Sequence, residues 1–146
     1  MDQLSCYRKL VKWVFQSLDA YKGELLEVAY PLFVHCFIDA MNKGNTAVAR
    51  EFFTTHRSNH MMRHSTDIET LAAVTERGQL DSIDLVRTML NSKYVVALSQ
   101  PAYKLVVAHL QLPVQEPLAK FTNEHLTFKL VTPMSSTVWV DRSTTT

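Results

Sequence analysis

The chain has 146 residues, of which 47% are apolar and 20% charged, and its formal net charge is +1. That length and balance describe one folded domain with a real core, not a disordered or low-complexity chain. Lysines and arginines are scattered without a basic block, so the concentrated positive face that direct DNA or RNA binding needs is missing.

Only three glycines occur, so few positions need positive φ and the loops should be short. Combined with strong helical periodicity, this predicts an all-α chain. Cys6 and Cys36 both fall inside apolar helical patterns and read as reduced core thiols. The N-terminus has no hydrophobic leader. The longest apolar run, Val28–Ile38, has 11 residues and is interrupted by Pro31 and His35, whereas a membrane span needs about 20. We therefore expect a soluble intracellular protein that makes no membrane contact.

In chain order, Leu4, Tyr7, Val11, Val14 and Leu18 recur at helical spacing and predict a helix over 3–18, with Trp13 and Phe15 widening its stripe. The Leu4–Val11–Leu18 line is a candidate self-association surface. Residues 19–23 read as a turn. Pro31 lies inside the next apolar pattern and predicts a kink or break, with helices over 24–30 and 31–43. Lys43-Gly44 reads as a helix stop and Asn45 as the N-cap of a helix over 46–57. This makes a helical hairpin in which Phe52 and Phe53 pack back on Phe33 and Phe37.

Thr66 and Glu69 match a capping box for a helix over about 67–76, and Asp81 or Ser82 caps one over 83–91. Residues 93–98 are β-branched and read as extended. Ser99 caps a helix over 100–111 with Pro101 in its first turn. A last helix over about 114–124 precedes a second extended segment, 125–131, and a Ser/Thr-rich tail follows over 132–146. Val138, Trp139 and Val140 in that tail are candidates to dock on the body. The expectation is an all-α, compact single domain over 1–131, with about eight or nine helices and a short extended segment near the C-terminus.

Catalytic chemistry has little to work with. His56, His60 and His64 stand at i, i+4, i+8 and would line up on one helix, a workable zinc spacing. No carboxylate or thiol lies within that segment, and Arg50, Arg57 and Arg63 oppose a cation, so solvated or capping histidines are the expectation. His35 and Cys36 are adjacent and point about 100° apart on a helix, so they cannot pair with each other, and His35 reads as a core histidine. His109 and His125 read as structural or surface residues. Asp67/Glu69 and Asp81/Asp84 lie at predicted helix starts, where the macrodipole accounts for them. No phosphate-binding glycine loop, nucleophile elbow or zincin motif occurs. We expect no enzyme activity, no cofactor, no metal and no small-molecule substrate.

Four stretches in order carry a family resemblance. Tyr30, Pro31, Phe33, Val34 and His35 form the first. Ala49, Glu51, Phe52 and Phe53 form the second, and Asn91, Lys93 and Tyr94 the third. Asn123, Glu124 and His125 close the series. Together they resemble the second conserved N-terminal domain of the WD-repeat TBP-associated subunit of TFIID, a subunit shared with SAGA-type coactivators in some lineages. The resemblance covers roughly residues 5–131. It implies an all-helical, non-enzymatic scaffold in the nucleus, contacting other TFIID subunits and linked to self-association. It makes Tyr30, Pro31, Phe33, His35, Phe52, Phe53, Asn91, Lys93 and Tyr94 a structural signature rather than a reaction centre. The family's full subunit also carries a LisH motif and a WD-repeat propeller, and residues 1–146 contain neither, as expected of an excised domain or a compact relative. The alternative is a generic helical peptide- or protein-binding module outside transcription.

Overall fold

Asp2 caps the first helix by accepting the Ser5 N–H at 2.9 Å, and α1 runs Gln3–Gln16. After a two-residue link, α2 spans Asp19–Asn42 without interruption. These elements come from a computed structural model that describes residues 2–131. The tail over 132–146 and its docking candidates Val138, Trp139 and Val140 lie outside the described residues.

Of the kink or break expected at Pro31, the break does not occur. Proline deletes one helical hydrogen bond and crowds the preceding turn, at a cost of about 3 kcal/mol. Against that, Val28, Ala29, Tyr30, Leu32, Phe33 and Val34 are all essentially inaccessible to solvent. Burying each large side chain contributes about 1.5–3 kcal/mol, so packing on both sides of the proline holds the helix together. The turn expected over 19–23 is likewise the first turn of α2, where Asp19 pairs with Lys22 at 2.9 Å. A helix buried on every side belongs at the centre of a domain, and α2 packs against α1 and against the α-helices that follow.

The stop at Gly44 forms as expected. Gly44 N–H donates to the Met41 carbonyl at 3.1 Å and Asn45 N–H to the Ala40 carbonyl at 3.0 Å. These two bonds close a Schellman motif around a glycine at φ +85°. Asn45 sits at the N-cap of α3, Thr46–His56, but its side chain makes no capping bond. Gly44→Val should cost about 1–2 kcal/mol, because a β-branched residue is strained at positive φ. An unchanged thermal midpoint would refute the cap.

A 3₁₀ turn, Arg57–Asn59, leads to α4, Met61–Ala72. The helix starts six residues before the expected Asp67 and bends at His64 (φ −134°, ψ 36°). Because it runs back to Met61, the backbone N–H groups around Asp67 are no longer free helix-start donors, and the Thr66–Glu69 capping box is not needed. A capping box forms instead at Glu76 and Gln79, where the Glu76 N–H donates to Gln79 Oε1 at 3.0 Å. It opens a 3₁₀ segment over Arg77–Ser82, followed by α5, Asp84–Asn91.

Strand β1, Tyr94–Leu98, and strand β2, Leu126–Leu130, confirm both extended readings and pair in parallel, Tyr94 opposite Leu126 and Leu98 opposite Leu130. A parallel pair needs a long crossover. Here it consists of α6, Gln100–Leu110, a 3₁₀ turn at Pro113–Gln115 and α7, Glu116–His125. Ser99 caps α6 as expected, accepting the Ala102 N–H, and is itself anchored by Glu24 of α2, whose carboxylate accepts the Ser99 N–H at 2.6 Å. The all-α expectation holds for a compact single domain. The described residues form seven α-helices and three 3₁₀ segments; the merging of the two helices expected around Pro31 lowers the α-helix count. No helix among the described residues is long and apolar enough to cross a membrane.

Candidate functional site

The hairpin brings the signature aromatics together. Phe33 of α2 stacks on Phe52 and Phe53 of α3 at centroid distances of 5.5 and 5.4 Å, and Phe37 meets Phe53 at 5.2 Å. These are the contacts expected from the sequence. Tyr7 of α1 completes the cluster, 5.7 Å from Phe33 and edge-on to Phe52 at 5.2 Å. Sequence reasoning placed Tyr7 on an apolar stripe but missed it as the hub, because nothing local marks a partner 53 residues away.

The three histidines do not form a ligand set. His60 lies 2.7 Å by Nε2 from the Tyr7 hydroxyl. Burial, reinforced by the neighbouring His64 and His56, pushes His60 down to about 3, while burial raises the Tyr7 phenol. His60 is therefore neutral, and in the tautomer that carries its proton on Nδ1 the Tyr7 hydroxyl donates to Nε2. His64 instead points Nε2 at both Glu27 oxygens, 3.2 Å each, and stacks on Tyr30 at 3.6 Å with ring planes 3° apart. Tyr30 donates its hydroxyl to Asp67 at 2.7 Å, so Asp67 has a specific partner in place of the helix-start role read from the sequence. His56 lies edge-on to Tyr7 at 5.1 Å. His56 and His60 both lie against Tyr7, and His60 and His64 against Tyr30. No group of three or more metal-ligating side chains converges among the described residues.

His35 is 2% exposed and stacks on His125 at 3.8 Å, tying α2 to the end of α7. Burial, with His125 adding to it, pushes His35 down to about 4. His109 is buried, not on the surface. It stacks on Trp13 at 4.4 Å and accepts from Gln115 Nε2, which also donates to the Cys6 carbonyl. Pro31 is buried beside Tyr30. Tyr94 is half-buried and meets Tyr30 edge-on at 6.1 Å, while Asn91 and Lys93 face solvent.

Beside the cluster lies a groove of about 270 Å³, walled by Phe15, Leu26, Asn59 and Met62 with Glu27 and His64 at its polar end. Met62 is 95% exposed, and Phe15 and Leu18 are also exposed. Leu4 and Val11 are buried, so the Leu4–Val11–Leu18 line is not a free surface. The sequence marked Phe15 only as widening a core stripe and did not single out Met62.

The site is thus a closed aromatic and histidine core with apolar side chains left uncovered beside it. The family described as "WD40 associated region in TFIID subunit, NTD2 domain" matches residues 2–126. The chain belongs to this family. It is similar to "Transcription initiation factor TFIID subunit 5" of Arabidopsis thaliana, 37% identical over 124 residues, which cover 85% of this chain and 18% of the relative. It is also similar to the protein of the same description in Encephalitozoon cuniculi, 30% identical over 88% of this chain and 23% of the relative. The chain therefore spans about a fifth of the length of these curated relatives. Among solved structures, the crystal structure of the Encephalitozoon cuniculi TAF5 N-terminal domain superposes with a TM-score of 0.82 at 28% identity, covering 90% of this chain and all of that one. The resemblance drawn from the Tyr30, Phe52 and Asn91 stretches is confirmed, and with it the TFIID family's place in transcription.

Proposed function

We propose that the chain is a non-enzymatic assembly module of TFIID, acting in the nucleus within the RNA polymerase II preinitiation machinery. Its role is to contact other TFIID subunits and to support self-association, without binding nucleic acid, membrane or a small-molecule substrate directly. Tyr30, Pro31, Phe33, His35, Phe52 and Phe53 serve as its internal frame, with Asn91, Lys93 and Tyr94 marking the turn into β1. The observation that carries the reading is the family match over residues 2–126.

Two structural features support it. Six polar side chains of the cluster are engaged in pairs: Tyr7 with His60, Tyr30 with Asp67, His64 with Glu27. Groups bonded in this way brace a core. The uncovered side chains Phe15, Leu18 and Met62 are apolar, as expected where a protein meets another protein. Co-precipitation of the tagged chain from nuclear extract should recover TBP-associated factors, and an extract that returns none of them counts against the proposal. Sedimentation over a concentration series reads self-association separately: a weight-average mass that stays at one chain removes that part.

A further inference from the structure

A second cleft lies on the far side of α3, between α3 and the end of α4. Its floor is Phe37, Phe53 and Leu71, all buried, and its rim carries Arg50, Thr54 and Arg57. Its volume is about 50 Å³, room for roughly three to five water-sized atoms. We propose that this cleft is a carboxylate-binding site that takes an aspartate or glutamate side chain from an acidic segment of a partner protein.

Both guanidiniums are held in place by the fold. Arg50 Nη1 donates to the Val74 carbonyl, and Arg57 lies over the Phe53 ring at 5.6 Å from its centroid. Arginine carries five N–H donors, so the bond to Val74 leaves Arg50 with four, and packing over a ring leaves the N–H edge of Arg57 open. Neither has a carboxylate within 4 Å among the described residues. Four other cations do: Arg63 pairs with Glu27, Arg87 with Asp84, Lys43 with Asp39 and Lys22 with Asp19. Two pre-positioned, unneutralised guanidiniums above an apolar floor are a receptor for an anion. Charge-assisted bonds gain strength where water is partly excluded.

The size and surroundings choose the anion. A carboxylate presents three heavy atoms and fits with room to spare, whereas a phosphoryl group presents four or five and takes up the whole volume. Glu51 is adjacent to Arg50 in sequence, and Glu76 stands two residues from Val74. Negative charge nearby weighs more heavily against a polyanion such as nucleic acid than against a single carboxylate. Phe53 and Thr54 also give the methylene groups of a glutamate something to lie against.

The site deepens the assembly-module reading and rests on it only for the partner's being a protein. Its test uses the isotopically labelled chain and follows the Nε–Hε signals of Arg50 and Arg57 by NMR. The probes are acetate, inorganic phosphate, a short peptide of alternating glutamate and leucine, and its glutamine counterpart. Acetate and the glutamate peptide should move both arginine signals, and the glutamine peptide should not. Arg57→Gln should weaken the glutamate peptide about tenfold, the loss expected for one charge-assisted hydrogen bond, with the thermal midpoint kept. Arg50→Gln also removes the bond to Val74, so Arg57→Gln is the deciding variant. Arginine signals that stay still, or peptide affinity unchanged in Arg57→Gln, overturn the proposal. Phosphate that binds more tightly than acetate overturns the carboxylate assignment. A failed capture of TFIID subunits while the arginine signals respond counts against the assembly reading alone, and unmoved arginine signals count against this site alone.

Discussion

Phe33→Ala should lower the unfolding free energy by about 3–5 kcal/mol, towards the upper end of what a buried phenylalanine costs. Phe33 is fully buried and touches four other rings: Tyr7, Phe52, Phe53 and His60, the last at 5.0 Å. These rings come from α1, α2, α3 and the lead-in to α4. They are held by the bonds of Tyr7 to His60 and of Tyr30 to Asp67, so they cannot readily collapse into the space a phenyl ring leaves. Phe53→Ala should cost less within the same range. Phe53 is 4% exposed and borders the cleft between α3 and α4, where solvent or Arg57 can fill part of the space. Urea unfolding of the two variants checks the order as well as the size. A loss under about 1 kcal/mol for Phe33→Ala would mean that the α2–α3 hairpin is not the centre of the core.

That hairpin is also the part of the fold most legible in the sequence, for a physical reason. Lys43-Gly44-Asn45 encodes a helix stop through one residue's backbone freedom, and the apolar spacing on either side says which faces meet. Both signals are local. Pro31 misled because its cost is local while the compensation is spread over the burial of its neighbours, which no short window reveals. The extended character of residues 93–98 was legible from β-branching, but its parallel pairing with 126–130 was not, since register across two helices leaves no mark on either strand. The histidines show the same limit. Their i, i+4, i+8 spacing suggested one face, yet the 3₁₀ turn at Arg57–Asn59 and the bend at His64 gave each ring its own environment. The apolar groove was harder still. Phe15 and Met62 look like core residues until every other element has claimed its place against α2.

The buried histidines make the fold acid-sensitive. Folding holds His35 near 4 and His60 near 3, below their ordinary value of 6.5, because burial disfavours the charged ring. As pH falls, the unfolded chain takes up protons at these positions before the folded chain does, so protons favour unfolding. Their contribution is therefore complete above about pH 6.5 and is lost between 6.5 and 4 for His35 and between 6.5 and 3 for His60. At pH 5 the loss is about 2 kcal/mol for each residue, about 4 kcal/mol together, a large part of the stability of an ordinary domain. Burial lowers His56, His109 and His125 too, which adds in the same direction. The cost has a structural origin at each ring. A proton on His60 puts a buried charge near His64 and His56, and a proton on His35 puts charge against the stacked His125 with no partner for Nε2 among the described residues. Glu124 and Asp39 favour a charged His125, against the larger effect of its burial. Urea midpoints measured at pH 7.5 and pH 5 should differ strongly, and His35→Gln should flatten the difference. Equal midpoints at the two pH values would show that these rings are open to water in the folded protein.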